Sequence, residues 1–498
     1  MSEPYYITTA ISYPNGKPHI GHAYEAIAAD AMARFRRAQG RDVKLVTGTD
    51  EHGLKMVQTA RNAGVETQAY ADEMSSYFRK MCDDLNIIYD AFVRTTEPRH
   101  AEASIALWKA MEANGDLYLD RYEGWYSVRD EAFYDESELV EGEGGEKLSP
   151  QGTPVEWTTE ETWFFKLSAY QDKLLDLYRA NPNFIRPESR RNEVMRFVEG
   201  GLKDLSVSRT SFDWGVPVPG SPDHVMYVWV DALTTYMTGV GFPDREGEFA
   251  RYWPADVHLI GKDIVRFHTV YWPAFLMSAG LPLPRQVFGH GFLLAKGEKM
   301  SKSLGNVVDP MALAKRFGID QLRYFLLREI HFGQDGSYSE EAIVNRVNAE
   351  LANSFGNLAQ RSLSMIFKNL GGVIPASGED EADRKLLTEV DAACVELENE
   401  FDTFSFSTGL EAWMRAVFAC NAYIDEQAPW SLKKTDPARM AAVLGTIVSA
   451  VRKLAVAVAP VVPVSAEKLI DFIDSGANGV PIGQPTPIFP RLEMSEDA

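Results

Sequence analysis

Two periodicities divide the chain. From the amino terminus, 5-YYITTAI-11 is a short apolar run closed by the turn signal SYPNG. The residues after it set Tyr24, Ile27, Ala28, Ala31 and Phe35 at helical spacing until Gly40 ends the pattern. A second apolar run, 43-VKLVTG-48, leads through a loop into a helical pattern from Leu54 to Ala63. Strand, helix, strand, helix in this rhythm predicts an α/β fold with a parallel sheet covered on both faces. Between about 115 and 215 the chain turns to aromatics, glycines and acidic residues with short strand-like runs such as 124-GWYSVRDEAFYD-135, the pattern of an inserted α+β unit. Alternation resumes near MYVWVDALTTYM and DVHLIGKDIVRFHTVYWPAFLMSAG, which complete the first sheet. After about 340 the strand signals stop, and long amphipathic segments separated by Pro and Gly predict an all-α bundle. The expected divisions are 1–114, 115–215, 216–340 and 341–498.

Composition narrows this picture. A length of 498 residues with 45% apolar content suits roughly three folded domains. No apolar run approaches a bilayer-spanning length, and MSEPYYITT carries neither a basic leader nor a cleavable apolar segment, so the expected location is the cytoplasm. Cys82, Cys394 and Cys420 are too far apart for a disulfide framework or a C-x-x-C metal knuckle. A net charge of −21 disfavours polyphosphate binding by the molecule as a whole, but 185–209 is locally basic through Arg186, Arg190, Arg191, Arg196, Lys203 and Arg209. There is no internal repeat, and the last residues, MSEDA, are expected to fray.

Two motifs carry chemistry. In 17-KPHIGHAYEAIAADAMARFRRAQG-40, His19 and His22 stand at the mouth of a helix just after a strand, where free N–H groups face the ligand crevice of an open α/β sheet. Imidazoles there can donate to phosphate oxygens, and Gly21, lacking Cβ, lets a purine or phosphate approach the backbone. A capped and packed helix start is the plain alternative for this motif alone. Far downstream, 292-FLLAKGEKMSKSLGN-306 places Lys299 and Lys302 in a small polar loop with the hydroxyls of Ser301 and Ser303. Such lysines neutralise a triphosphate and follow the charge onto a leaving pyrophosphate.

HIGH after the first strand and KMSKS at the far end of an interrupted α/β domain together resemble the class I aminoacyl-tRNA synthetases. AISYPNGKPHIGHAY, TGTDEHG, YVWVDALTTY, HLIGKDIVRFHTVYWPA and KMSKSLGN resemble, in order, the blocks of the methionyl-tRNA synthetase family, and the likeness extends to about residue 430. It implies a Rossmann-type catalytic domain split by a connective-peptide insert, then an α-helical anticodon-binding domain. The substrates implied are ATP with Mg²⁺, L-methionine and initiator and elongator tRNA(Met). Ala10, Ile11, Tyr13, Trp229, Leu233, Tyr236, Ile264, His268 and Trp272 would form or gate the methionine pocket, and Asp50 would hold the ammonium group. His19, Gly21, His22, Gly261, Lys262, Asp263, Lys299, Ser301 and Lys302 would bind ATP, with Arg209 beside its phosphates. A soft aromatic pocket suits a thioether, and the insert is too short for a hydrolytic editing domain.

The sequence departs from the family in one respect. Many members carry a zinc knuckle built on C-x-x-C pairs in the insert, but here Ser127 and Asp130 stand in place of the first pair, and 148-LSPQGTPVEW-157 has Ser149 and no cysteine. The expectation is no zinc. In the helical part, Asn353, Asn357 and Arg361 recur every four residues, and Pro429 breaks a helix beside Trp430 and two lysines. Aromatic stacking and edge hydrogen bonds of this kind suit an anticodon loop, and the family resemblance assigns these positions to a CAU anticodon. No strand-rich segment remains for an appended OB-fold module, so a monomer is expected. The competing reading is a small-molecule adenylyltransferase with the same HIGH-type site, which would not need the helical domain; a non-catalytic tRNA-binding paralogue would not need the two motifs.

Overall fold

The computed structural model describes residues 2–130, 132–142, 144–295, 298–299, 307–476 and 479–494. It falls into two compact units, one of Met1–Ala29 with Arg36–His290 and one of Asp30–Phe35 with Gly291–Ala498. The expected change of character at 340/341 follows the last strand among the described residues, Gly336–Tyr338, whereas packing divides the chain at His290/Gly291.

In the first unit, β1 (Pro4–Thr9), α1 (Ile20–Ala38), β2 (Asp42–Thr49), α2 (Leu54–Ala63), α3 (Thr67–Asp84), β3 (Ala91–Arg94) and α4 (Pro98–Ala113) follow the predicted alternation. The main sheet has six parallel strands in the order β3, β2, β1, Val257–Gly261, Val287–His290 and Ile185–Arg186. Ile7 pairs with Leu45 on one side and Val257 on the other. Strand order therefore reverses beside β1, and the loops leaving the carboxyl ends of β1, β2 and Val257–Gly261 open at that reversal, where open α/β sheets bind ligands. Burial of nearly every residue in β1, Val257–Gly261 and Val287–His290 is the mark of a sheet covered on both faces.

The insert is built on a long antiparallel pair, Leu117–Ser127 with Glu156–Phe165, flanked by Ala132–Tyr134 and Leu205–Ser206. It is not wholly separate from the sheet as the sequence suggested: Ile185–Arg186, inside the expected insert, pairs with Val287–Phe288 as the sheet's edge strand. Trp108, Phe165, Phe184, Trp272 and Phe275 are fully buried in one core shared by sheet and insert.

The second unit carries a small sheet, Leu293–Ala295 with Glu298–Lys299 and Gly336–Tyr338, and then a bundle of helices that includes Asn357–Asn369, Glu381–Phe401, Phe406–Gln427, Pro437–Val458 and Pro463–Gly476. Pro437–Val458 corrects a sequence expectation, because by length and composition alone it is apolar enough to cross a membrane. Its apolarity serves packing. Val443, Leu444, Ile447, Val451 and Leu454 are buried, and the helix packs on four others in the bundle and on Pro429–Thr435. Within the same unit the buried Arg323 guanidinium donates to the Asp30 carboxylate at 2.6 Å and to the carbonyls of Pro460 and Val461, which offsets the cost of burying the charge.

Candidate active site

The loop after β1 folds back onto α1. The Ala10 N–H is shared between the Leu259 carbonyl and Glu25 Oε1, both at 2.9 Å, and the other Glu25 oxygen meets His290 Nε2 at 2.7 Å. At the start of α1 the backbone N–H of His19 donates to His22 Nδ1, and that of Gly21 donates to His19 Nδ1, each at 3.1 Å. A ring nitrogen that accepts from an amide carries no proton, so each imidazole keeps its proton on Nε2 as a donor. The two rings lie 3.8 Å apart, with the His22 ring also edge-on to Phe78 at 5.0 Å. A Cβ on Gly21 would stand 2.9 Å from His19 Cε1, so any larger residue would displace the His19 ring. His22 and Ala10 share a small cleft with Thr9, Ser12, Glu25, Phe78 and Cys82.

The expected amino-acid pocket comes largely from two helical segments. Val228–Thr238 carries Trp229, Leu233 and Tyr236 at i, i+4 and i+7, and the segment following Gly261 carries Ile264, His268 and Trp272 at four-residue intervals. Phe267–Tyr271 is a single π-helical turn, a feature the spacing did not announce. His268 Nδ1–H donates to the Ile264 carbonyl at 2.9 Å, leaving Nε2 to accept the Tyr236 hydroxyl at 2.6 Å. The Tyr236 ring lies on His258 at 4.3 Å, and the Trp272 indole N–H donates to His258 Nε2 at 3.2 Å, so Nδ1–H of His258 donates to the Thr8 hydroxyl. Burial pushes the His268 imidazole down to about 4 against the opposing Ile264 carbonyl, and burial with the neighbouring His268 holds His258 well below the usual histidine range. Both rings are thus neutral, fixed hydrogen-bonding elements. Trp229 stacks flat on Phe267 at 3.9 Å and meets His268 edge-on at 5.9 Å.

Asp50 follows β2, its N–H donating to the Ser12 carbonyl at 2.9 Å. Burial, and after it the negative charges of Glu25 and Asp50, raise the Tyr236 phenol well above the usual tyrosine range, so both carboxylates lie within electrostatic reach of it. Gly48, two residues earlier, is required by the sheet: a Cβ there would come within 1.9 Å of the Val93 carbonyl oxygen. Tyr13 packs apart from the aromatic group, against Met56, Ala60, Tyr70 and Met74 with Trp214. Ala10, Trp229 and Ile264 pack on the main core, while Ile11 is half-buried.

A larger cleft of about 710 Å³ brings Arg209, Lys262 and Asp263 together with insert residues. The Arg209 guanidinium is buried over Tyr227 at 4.6 Å and Phe133 at 4.8 Å, donating to the Ser208 carbonyl at 2.7 Å and Ser206 Oγ at 2.9 Å. Gly261 ends its strand where a Cβ would meet Asp263 Oδ1 at 2.7 Å. The backbone of Lys299 pairs with Leu294; Ser301 and Lys302 lie outside the described residues.

At the expected knuckle, Ser127, Asp130 and Ser149 are joined by Thr153. Asp130 Oδ2 accepts from Ser149 Oγ and Thr153 Oγ1, each at 2.6 Å, and from Tyr134 at 3.1 Å, while Ser127 Oγ lies 2.6 Å from Thr153 Oγ1. Three hydroxyls and one carboxylate, bonded to one another, are not a zinc donor set.

In the second unit, Val347–Gly356 is π-helical before Asn357–Asn369, so the four-residue spacing of Asn353 and Asn357 crosses a change of helix type. Asn353 and Asn357 are nevertheless exposed, and Arg361 is held by Asp425 at 3.1 Å and Asn421 at 3.2 Å. Phe406–Gln427 ends at Ala428, which takes a positive φ of 42°; Pro429 then restarts a short helix and leaves Trp430 49% exposed.

Sequence reasoning missed Glu25, His258, Asp231, His100 and Phe267. Asp231 offered a signal, a lone carboxylate inside the apolar run VWVDALTTYM. The others gave none, because their partners are distant in sequence.

Residues 5–363 match the family described as tRNA synthetases class I (M), and residues 374–485 match the anticodon binding domain of methionyl tRNA ligase. The chain is 57% identical to a methionine–tRNA ligase of Brucella suis, covering 99% of each chain, and 60% identical to one of Mesorhizobium japonicum over 95% of this chain and 91% of the relative. It superposes with a TM-score of 0.95 on the Mycobacterium tuberculosis methionyl-tRNA synthetase solved in complex with methionyl-adenylate, at 56% identity over 98% of this chain and 100% of that one. These matches span both units, including the helical one that an adenylyltransferase of small molecules would not need. The chain belongs to the methionyl-tRNA synthetase family of class I synthetases, whose members are methionine–tRNA ligases.

Proposed function

We propose that the enzyme activates methionine and charges tRNA(Met) through the residues assembled at the carboxyl edge of its parallel sheet. The observation that carries the reading is the chain of hydrogen bonds and ring contacts from Ile264 through His268, Tyr236, His258 and Trp272, at the strand-order reversal and within electrostatic reach of Asp50. Asp50 takes the methionine ammonium, and Ala10, Ile11, Tyr13, Trp229, Leu233, Tyr236, Ile264, His268 and Trp272 enclose or gate the thioether side chain. Sulfur–aromatic contacts favour that side chain over a branched alkane.

ATP, as its Mg²⁺ complex, lies with its phosphates within reach of the Nε2–H donors of His19 and His22, with Gly21 and Gly261 giving close approach and Arg209, Lys262 and Asp263 bordering the site. The methionine carboxylate attacks the α-phosphorus, and pyrophosphate leaves toward Lys299, Ser301 and Lys302. No side chain acts as nucleophile; positioning and charge stabilisation supply the rate. The terminal ribose hydroxyl of tRNA then attacks the methionyl-adenylate, releasing AMP. Asn353, Asn357, Arg361, Pro429 and Trp430 read a CAU anticodon. The insert holds its fold without zinc, and the enzyme works as a cytoplasmic monomer.

The test is aminoacylation with a panel of amino acids and with tRNA whose CAU has been altered. The reading expects methionine-dependent ATP–pyrophosphate exchange and loss of charging when CAU is changed. Exchange supported equally by leucine or isoleucine would overturn it.

A further inference from the structure

The methionine site described above is assembled from pieces of chain far apart in sequence, and one buried carboxylate outside its wall joins two of them. Asp231 sits in Val228–Thr238, fully buried, with His52 Nδ1 2.5 Å from its Oδ2 and His100 Nε2 2.5 Å from its Oδ1. Burial by itself would raise this carboxyl, but His52 and His100 outweigh it and hold the group at about 2. His100, in α4, also meets the Thr238 hydroxyl at 3.0 Å and the Ser104 hydroxyl at 3.2 Å. Asp231 therefore gathers three elements: its own helix, α4, and the loop after β2.

That loop is where Asp50 stands. Its other anchors hold it to the strands and to Trp214. Glu51 accepts from Arg94 Nε at 2.7 Å and Nη2 at 2.8 Å and from the hydroxyls of Thr49 and Thr96 at 2.6 Å, and the Trp214 indole N–H donates to the Glu51 carbonyl at 2.7 Å. None of these bonds reaches the helix that carries Trp229, Leu233 and Tyr236; the His52–Asp231 bond does. A buried charged network of this kind is often no more stable than a well-packed apolar one of the same volume. What its two bonds do provide is a fixed spacing between the elements that carry them.

We infer that Asp231 is a positioning residue which, through His52, sets the distance between the Asp50 carboxylate and the aromatic wall, so that ammonium and thioether are bound in one register. The inference rests on the reading of Asp50 as the ammonium-binding group. Two amides of nearly the same bulk separate the role from simple packing. In His52→Asn the side-chain N–H falls where Nδ1 was and still reaches Asp231; in His52→Gln it falls at the place of Nε2 and does not.

Exchange kinetics are measured for wild type, both His52 variants and Asp50→Asn, with melting temperature recorded for each. The methionine KM of His52→Gln is expected to rise about 10- to 100-fold, the weight of a lost hydrogen bond to a charged group, with ATP KM within about twofold and His52→Asn close to wild type. Asp231→Ala should reproduce the Gln phenotype where it folds. Methionine and ATP KM values rising together in His52→Gln, or Asn failing to restore what Gln loses at matched melting temperature, would overturn the tether. An unchanged methionine KM in Asp50→Asn would instead remove the reading of Asp50 beneath it.

Discussion

In the proposed amino-acid pocket, Tyr236, His268 and Trp272 keep 2% or less of their surface, and the Tyr236 hydroxyl, both His268 ring nitrogens and the Trp272 indole N–H have protein partners; in the helical unit Asn353 and Asn357 are exposed and Trp430 keeps 49%. Under the proposed function the two regions bind different kinds of object. A small, flexible amino acid must be surrounded, and in its proposed pocket the histidines are held as neutral donors and acceptors. A nucleic-acid loop brings its own bulk and stacks on what protrudes, so its binding face is left open. The difference shows where a substitution should register: pocket changes in methionine activation, face changes in tRNA charging.

The largest effect is expected at the mouth of α1. His22→Ala removes a fixed Nε2–H donor from the phosphate site and should lower the rate of adenylate formation about 100- to 1,000-fold, the range for one preorganised donor. Single-turnover adenylate formation checks it, with His22→Gln retaining part of the rate because it keeps an N–H near the same place.

The neutral pocket histidines predict the next effect. Because His268 in the folded enzyme does not take up a proton until about 4, while the unfolded chain does so from its ordinary 6.5, the unfolded state binds more protons between those values. Stability therefore falls as pH drops through that window, by about 2 kcal/mol from this one group between pH 7 and pH 5. Urea titrations at the two pH values should show it, and His268→Asn should flatten the slope; equal slopes would remove the assigned cause.

A smaller effect concerns the insert. Asp130→Asn should cost about 1 kcal/mol of stability by weakening the bonds from Ser149, Thr153 and Tyr134, seen as a fall of about one to two degrees in Tm. Dialysis against a chelator should leave the wild-type Tm unchanged.

Much of the fold was legible because it is written locally. The helix Leu54–Ala63 was read to its ends, and β1, α1 and β2 followed from apolar spacing and from the turn SYPNG. Ile185–Arg186 was not: a two-residue strand carries no period, and only its partner Val287–Phe288, about a hundred residues on, makes it one. The same holds at the site. HIGH and the four-residue spacing of Ile264, His268 and Trp272 are visible in the sequence, but the roles of Glu25 and His258 exist only through Ala10, His290 and Trp272, which long-range folding brings to them. The apolar helix Pro437–Val458 escaped notice as a candidate span because its small residues and scattered polar ones break the run, although its total apolarity is high.

The central claim, that pocket and face are separate devices answering to separate substrates, is tested most directly by two variants in two assays. Tyr236→Phe strips the hydroxyl that satisfies His268 Nε2, and Trp430→Ala strips the exposed indole. The account predicts that Tyr236→Phe raises the methionine KM in ATP–pyrophosphate exchange about 5- to 100-fold with tRNA KM unaltered. It predicts that Trp430→Ala leaves exchange untouched and lowers kcat/KM for tRNA by about the same factor. Either variant impairing both substrates to a similar degree would contradict it.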